Sequence, residues 1–277
     1  MLKIAAIQMS MSEDIANNIV KAEQMVRRAA SFGAKIILLP ELFSTLYFCK
    51  DRDDSYFTLA QERQDSTLIK QFSSLAKELS VVLPISYFEK CESRYFNSVV
   101  IIDADGRVLG NYRKTHIPDG AGYEEKYYFS AGDSGFMVFE TLYAKIGVGI
   151  CWDQWFPESS RSMALLGAEI LMFPTAIGSE PEIGYDSQGH WHRVQQGAAA
   201  ANIVPLMAAN RVGEEVAKSC SIRFYGSSFI CDESGKIIEY ARRDEEDIIC
   251  ADLDLSKIAK LREYWGLFRD RRKEVYL

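Results

Sequence analysis

The chain has 277 residues, 48% hydrophobic and 26% charged, proportions that exclude disorder and collagen-like or mucin-like repeats. Its 39 acidic against 32 basic residues leave a formal charge of −7, the wrong sign for holding nucleic acid through its phosphates. No apolar run reaches the ~20 residues of a membrane-spanning helix. The expected partner is a small-molecule substrate, neutral or cationic, with no nucleic acid and no membrane.

In chain order, Lys3 to Gln8 reads as a strand, not as the apolar core of a leader peptide. From Ile15, apolar residues recur at Ile19, Ala22, Val26 and Ala29, the spacing of one helix face. Lys35 to Pro40 is a short continuous apolar run, expected as a strand enclosed on both faces. A helix over 66–79 follows, then strands over 81–87 and 97–102 and another from Gly106 to Arg113. The second half repeats the alternation: a strand over 145–150, a helix over 157–166 opened by Pro157, a strand over 169–173, a helix over 190–202 and a strand over 203–209. Residues 224–231 and 236–240 suggest an outer hairpin around a Glu-Ser-Gly turn. The tail from Leu255 is charged and aromatic with a helical start. No linker interrupts the chain, so one α/β domain over 1–277 is expected, a mixed sheet system covered by helices.

Six cysteines are scattered without a C-x-x-C pair, which implies reduced thiols and a cytoplasmic protein. Of the three histidines, His190 and His192 fall on different faces of a helix and His116 stands alone. No zinc spacing can be built from them, and no metal or other cofactor is expected.

Three polar residues fall at predicted strand ends: Glu41, Lys114 and Cys151. In open α/β sheets, ligands bind at the carboxyl ends of strands, so a carboxylate, an ammonium and a thiol can meet there. A free thiol titrates near ~8.5 and needs a base or a cation to become a nucleophile at neutral pH. Glu41 can serve as that base, and Lys114 can stabilise an oxyanion together with the backbone N–H after Cys151. Cys151 itself sits on a strand-to-helix turn, like the strained turn that presents the serine of α/β-hydrolases. Taken singly, each residue has a plainer reading: a packed cysteine, a loop acid, a surface lysine.

The segments Leu-Pro-Glu-Leu-Phe (39–43), Tyr-Arg-Lys-Thr-His-Ile (112–117) and Gly-Ile-Cys-Trp-Asp-Gln-Trp-Phe-Pro-Glu (149–158) resemble, in order, the three signature motifs of the nitrilase superfamily of carbon–nitrogen hydrolases. That resemblance covers nearly the whole chain. It implies a four-layer α-β-β-α sandwich, a Glu41–Lys114–Cys151 triad and a second glutamate that positions substrate. Spacing to Ser-Ala-Gly (130–132) favours Glu125 for this glutamate, with Glu124 as the rival. The resemblance also implies a homo-oligomer, dimer or larger, and the tail from about 255 is a candidate interface element.

Segments 119–129, 151–158 and 174–181 are similar to members of that family that hydrolyse a carbamoylated diamine to the diamine, carbon dioxide and ammonia. Ser44-Thr45-Leu46 departs from the Glu-Gly-Tyr expected there in close relatives. The far ammonium of such a substrate calls for a carboxylate or aromatic faces. Glu180 is the candidate contact, with Trp152 and Tyr47 as apolar walls; a surface acid loop is the plainer reading of Glu180. Arg211, the counter-candidate for a carboxylate-bearing substrate, reads as structural. Cys231 and Cys250 read as core, Cys49 as packing, and Asn202 and Asn210 as backbone-bonding residues. The alternatives are another amidase of the superfamily (acting on a carbamoyl amino acid, an ω-amide or a nitrile), a Cys–His hydrolase, and an inactive binding protein on the same fold.

Overall fold

A computed structural model describes residues 1–179, 183–218 and 220–276. The first half contains β1 (Leu2–Gln8), α1 (Ile15–Ser31), β2 (Ile36–Leu38), α2 (Thr67–Leu79), β3 (Leu83–Cys91), β4 (Arg94–Ile102), β5 (Val108–Arg113) and a single turn, α3 (Glu125–Tyr128). The second half contains β6 (Val138–Glu140), β7 (Lys145–Val148), α4 (Pro157–Leu165), β8 (Ile170–Thr175), α5 (Gln188–Asn202) and β9 (Leu206–Asn210). It closes with β10 (Val212–Val216), β11 (Ser221–Tyr225), β12 (Phe229–Cys231), β13 (Ile237–Tyr240), β14 (Asp247–Leu253) and α6 (Leu255–Trp265).

Two sheets lie face to face. The first is ordered β14-β1-β2, with β1 and β2 parallel, and continues into β3-β4-β5. The join is made by Ile37 N–H to Val82 O (3.0 Å) and Val82 N–H to Lys35 O (2.8 Å). The second runs β13-β12-β9-β8-β7-β6, with β7, β8 and β9 parallel.

The strand period of two sorts the core into layers. Along β1, Ile4 and Ala6 enter the core between the sheets, whereas Ala5 and Ile7 meet the stripes of α1 and α2 (Ala22, Val26, Leu68, Phe72). Along β8, Ile170 and Met172 face the same central core, and Leu171 and Phe173 face α4 and α5 through Met163, Trp191 and Ala199. Both faces of these strands are therefore dry, which is why they read as continuous apolar runs. The result is the four-layer α-β-β-α sandwich that the resemblance implied.

Local signals start the helices. The Asp14 and Ser66 side chains accept from Asn17 N and Ile69 N at the N-termini of α1 and α2, and Pro157 occupies the first turn of α4. The expected strand over 224–231 does not exist as one piece. Phe224 and Tyr225 end β11, which pairs with β10 in a separate ribbon, while β12 pairs with β13 and β9. Gly226 and Ser227 divide them, both in the left-handed region (φ 54° and 57°), and a Cβ on Gly226 would meet Gln8 Nε2 at 2.4 Å. β14, which completes the first sheet against β1, contains Cys250 but has no bounds in the sequence reading.

Candidate active site

Three strand ends carry the candidate residues to one place. Leu39 and Pro40 lead from β2 to Glu41, whose N–H donates across to Thr175 O at the end of β8 (3.3 Å). Lys114 follows β5; its N–H donates to Asn97 O and its carbonyl accepts from Gly132 N–H, both at 2.8 Å. A Cβ on Gly132 would stand 2.1 Å from Arg113 O, so only glycine lets that passing segment approach. Beyond β7, Gly149 N–H bonds Met172 O (3.1 Å), and Cys151 then adopts φ 37°. A left-handed non-glycine residue costs ~1–3 kcal/mol and persists only where its surroundings impose it. Glu41 and Lys114 thus come from one sheet and Cys151 from the other.

Lys114 Nζ is the hub. It donates to Glu41 Oε1 (2.8 Å) and to Glu125 Oε1 and Oε2 (2.9 and 2.7 Å), and all three residues are buried. Asn97 Nδ2 donates to the same Glu41 Oε1 (2.6 Å), while Glu41 Oε2 is buried with no hydrogen-bond partner among the described residues. Cys151 Sγ lies 3.7 Å from Ala176 O. Tyr47 Oη donates to Glu125 Oε1 at 2.6 Å.

Burial pushes the Cys151 thiol well above its ordinary range; Glu41 and Glu125 push the same way, and the Lys114 ammonium opposes them. The resting sulfur is therefore a thiol, which a base must deprotonate before it can act as a nucleophile. Burial alone would lower the Lys114 pKa, but Glu125 and Glu41 outweigh it and hold the ammonium above its usual range. Glu125 moves upward, to about 7, because burial disfavours its charge and Glu41 adds to that, against the pull of Lys114. A thiol, an unpartnered carboxylate oxygen whose charge reaches it, and a fixed buried cation can together support acyl transfer.

A cavity of about 210 Å³ opens onto Cys151 and Glu125 and is walled by Trp152, Trp155, Tyr123, Ala176 and Ile177, with Pro118 to Ala121 and Ile183 also lining it. It is smaller than the ~300–1,000 Å³ typical of drug-sized ligands. Its ionisable lining among the described residues is Asp119, Glu125, Tyr123 and Cys151; no lysine or arginine contributes. The described residues include no group of three His, Cys, Asp or Glu able to hold a metal, and no helix long and apolar enough to cross a membrane.

The expected residues divide as follows. Glu41, Lys114, Cys151 and Glu125 come together, and Trp152, 39% exposed, lines the cavity. Glu125 and not Glu124 faces Lys114; Glu124 turns outward to Arg52. Tyr47 is not an apolar wall: it is fully buried behind the cavity, where its hydroxyl is held by Glu125. Glu180 lies outside the described residues. Arg211 is structural as read, donating to the carbonyls of Glu41 and Leu42 (2.8 and 3.1 Å) and to Glu215 (2.7 Å). Asn210 bonds backbone at Ile177 and Gly226, and His116 bonds Asp153.

Sequence reading missed Asn97, Asp119, and the buried Glu215, which accepts from Tyr47 N–H, Lys50 and Arg211 at 2.7 Å each. The Arg-x-x-x-Glu spacing of 211–215 was a usable signal only once both residues were known to be buried. Asn97, inside an apolar strand run, was the stronger hint, since a buried amide demands partners.

Residues 3–263 match the carbon-nitrogen hydrolase family. The chain belongs to that family, within the nitrilase superfamily, and is a hydrolase of carbon–nitrogen bonds. It is 52% identical to a citrullinase of Francisella tularensis, covering 99% of this chain and 96% of that one. It is 51% identical to an N-carbamoylputrescine amidase of Solanum lycopersicum, covering 100% and 94%. A carbon-nitrogen hydrolase from Helicobacter pylori superposes with TM-score 0.93 at 36% identity, over 99% of this chain and 97% of that one.

Proposed function

We propose that the protein hydrolyses the ureido group of N-carbamoylputrescine, giving putrescine, carbon dioxide and ammonia. The reading is carried by one observation: a buried thiol opens onto a small cavity whose charged lining, among the described residues, is acidic only. Similarity to both named relatives supports a carbamoyl substrate. Citrulline and N-carbamoylputrescine share a ureido end and an ammonium; citrulline adds a carboxylate, for which this lining offers no cation. Asp119, at the exposed edge of the cavity, is the proposed partner of the diamine's ammonium.

In this mechanism Glu41 accepts the thiol proton as Cys151 attacks the ureido carbonyl. Lys114 and the Trp152 N–H stabilise the oxyanion, and Glu125 positions the substrate. Glu41 returns the proton to the terminal nitrogen, the C–N bond breaks, and ammonia leaves a carbamoyl thioester on Cys151. Water, deprotonated by the same carboxylate, hydrolyses the thioester, and the freed carbamic acid loses carbon dioxide. Two further expectations belong to the same reading. All six cysteines are free, which supports a reducing, cytoplasmic setting. Tyr264 and Trp265 of α6 stand 87% and 59% exposed, which supports a homo-oligomer.

The test compares kcat/KM for putrescine release from N-carbamoylputrescine with that for ornithine release from citrulline. The diamine is expected to win by about tenfold or more, worth ~1.4 kcal/mol. Asp119→Asn should raise KM for the diamine about two- to fivefold, the upper part of the range for an exposed charge contact. Better turnover of citrulline would overturn the substrate assignment while leaving the reaction class intact.

A further inference from the structure

Asp153 is fully buried, and its carboxylate takes four hydrogen bonds. Oδ2 accepts from Ile150 N–H (2.9 Å) and from Tyr112 Oη (2.7 Å). Oδ1 accepts from His116 N–H (2.9 Å) and lies 2.8 Å from His116 Nδ1, which therefore carries the proton. The donors are not scattered. Ile150 immediately precedes Cys151, and Tyr112 and His116 stand two residues to either side of Lys114. One carboxylate thus binds the turn that bears the thiol to both flanks of the segment that bears the ammonium.

A second contact lies beside it. The His116 ring stacks on Phe156, just beyond the turn, with centroids 3.7 Å apart and planes 6° from parallel. The need for such a link follows from the architecture. Lys114 leaves the first sheet and Cys151 the second, and the core between those sheets is apolar and non-directional. Apolar packing alone does not fix the relative position of two polar groups to the tolerance that acyl transfer needs, where a displacement of ~1 Å can cost 10²-fold.

We propose that Asp153 is a positioning residue: it sets the separation of the Lys114 ammonium and the Cys151 thiol across the two sheets and holds Cys151 in its left-handed conformation. The proposal rests on the roles given above to Cys151 and Lys114. A plainer role, capping the turn at 151–155 through Ile150 N–H alone, makes a different prediction, because the Tyr112 and His116 bonds would then be dispensable.

The experiment measures kcat, KM, thermal midpoint and the rate of Cys151 alkylation by iodoacetamide for Tyr112→Phe, Asp153→Asn and the double variant, with Cys151→Ala alongside. Tyr112→Phe removes the bond to Asp153, together with the contacts of the same hydroxyl to Thr115 Oγ1 and N–H, from the lysine side without touching the turn, and it serves if Asp153→Asn does not fold. The expected result is a kcat loss of about threefold or more for Tyr112→Phe and about 10²-fold for Asp153→Asn. KM should be little changed, alkylation should slow in parallel, and the double variant should be no worse than Asp153→Asn. A lowered thermal midpoint with kcat and alkylation unchanged in Tyr112→Phe would reduce the network to a turn cap and overturn the proposal. An active Cys151→Ala enzyme would overturn the nucleophile assignment and this inference with it. An inactive one with normal Tyr112→Phe kinetics would overturn this inference alone.

Discussion

Asn97 Nδ2 lies 2.6 Å from Glu41 Oε1, on the oxygen that also receives Lys114, so one side of the carboxylate is saturated and the other is not. The division matters because a base needs a free lone pair and a fixed orientation. Two donors on Oε1 supply the orientation and leave Oε2 to take the proton in the proposed mechanism.

Asn97→Ala is expected to lower kcat about 10- to 10²-fold, since a hydrogen bond to a charged group is worth ~1.5–3 kcal/mol, and to leave KM nearly unchanged. Steady-state kinetics on the purified variant checks this. An unchanged kcat would mean that Lys114 alone orients Glu41.

The acid limb of the pH profile should belong to Glu125. Ionised, it accepts from Lys114 and Tyr47; protonated, it gives up part of that acceptor capacity and the charge that balances Lys114. Because its pKa is raised to about 7, the ionised fraction grows as pH rises through that value. kcat/KM should therefore rise from pH 6 to pH 8. The Cys151 thiol and the Lys114 ammonium are both held above their ordinary ranges, so neither should cause a fall below pH ~8.5. Glu125→Gln should abolish the limb and leave a low, flat profile; a limb that survives the substitution belongs to another group.

Stability has its own sensitive point behind the site. Arg211, Glu215 and Lys50 form a buried ionic cluster that carries the Glu41 and Leu42 carbonyls and the Tyr47 N–H. Arg211→Met leaves those carbonyls without their guanidinium donor and Glu215 with one cation fewer. The expected loss is ~3–5 kcal/mol in urea unfolding, the usual result of breaking a buried pair from one side. A loss under ~1 kcal/mol would show that water replaces the guanidinium.

Glu41, Lys114 and Cys151 were legible in the sequence because each closes a predicted strand, where side chains of this fold class converge, and because the segments around them resemble three signature motifs in order. Tyr47 was misread for an equally physical reason. Its ring fits an apolar wall, and only the depth of Glu125 beneath the cavity shows that the hydroxyl is the part engaged. The bounds of β14 were not legible because its apolar residues stand among Asp247, Asp252 and a charged stretch at 242–247, and its pairing with β1 depends on a partner more than 200 residues away. Asp153 had no readable role at all: a carboxylate two residues past a cysteine acquires one only when the two sheets are packed.

The most direct test of the account is the mass of the enzyme after acid quenching during turnover of N-carbamoylputrescine. A fraction of wild-type chains should be heavier by the substrate less ammonia, with the added group mapped to Cys151, and Cys151→Ala should show neither adduct nor putrescine release. Putrescine release that persists in Cys151→Ala, or an adduct mapped to any other residue, would contradict it.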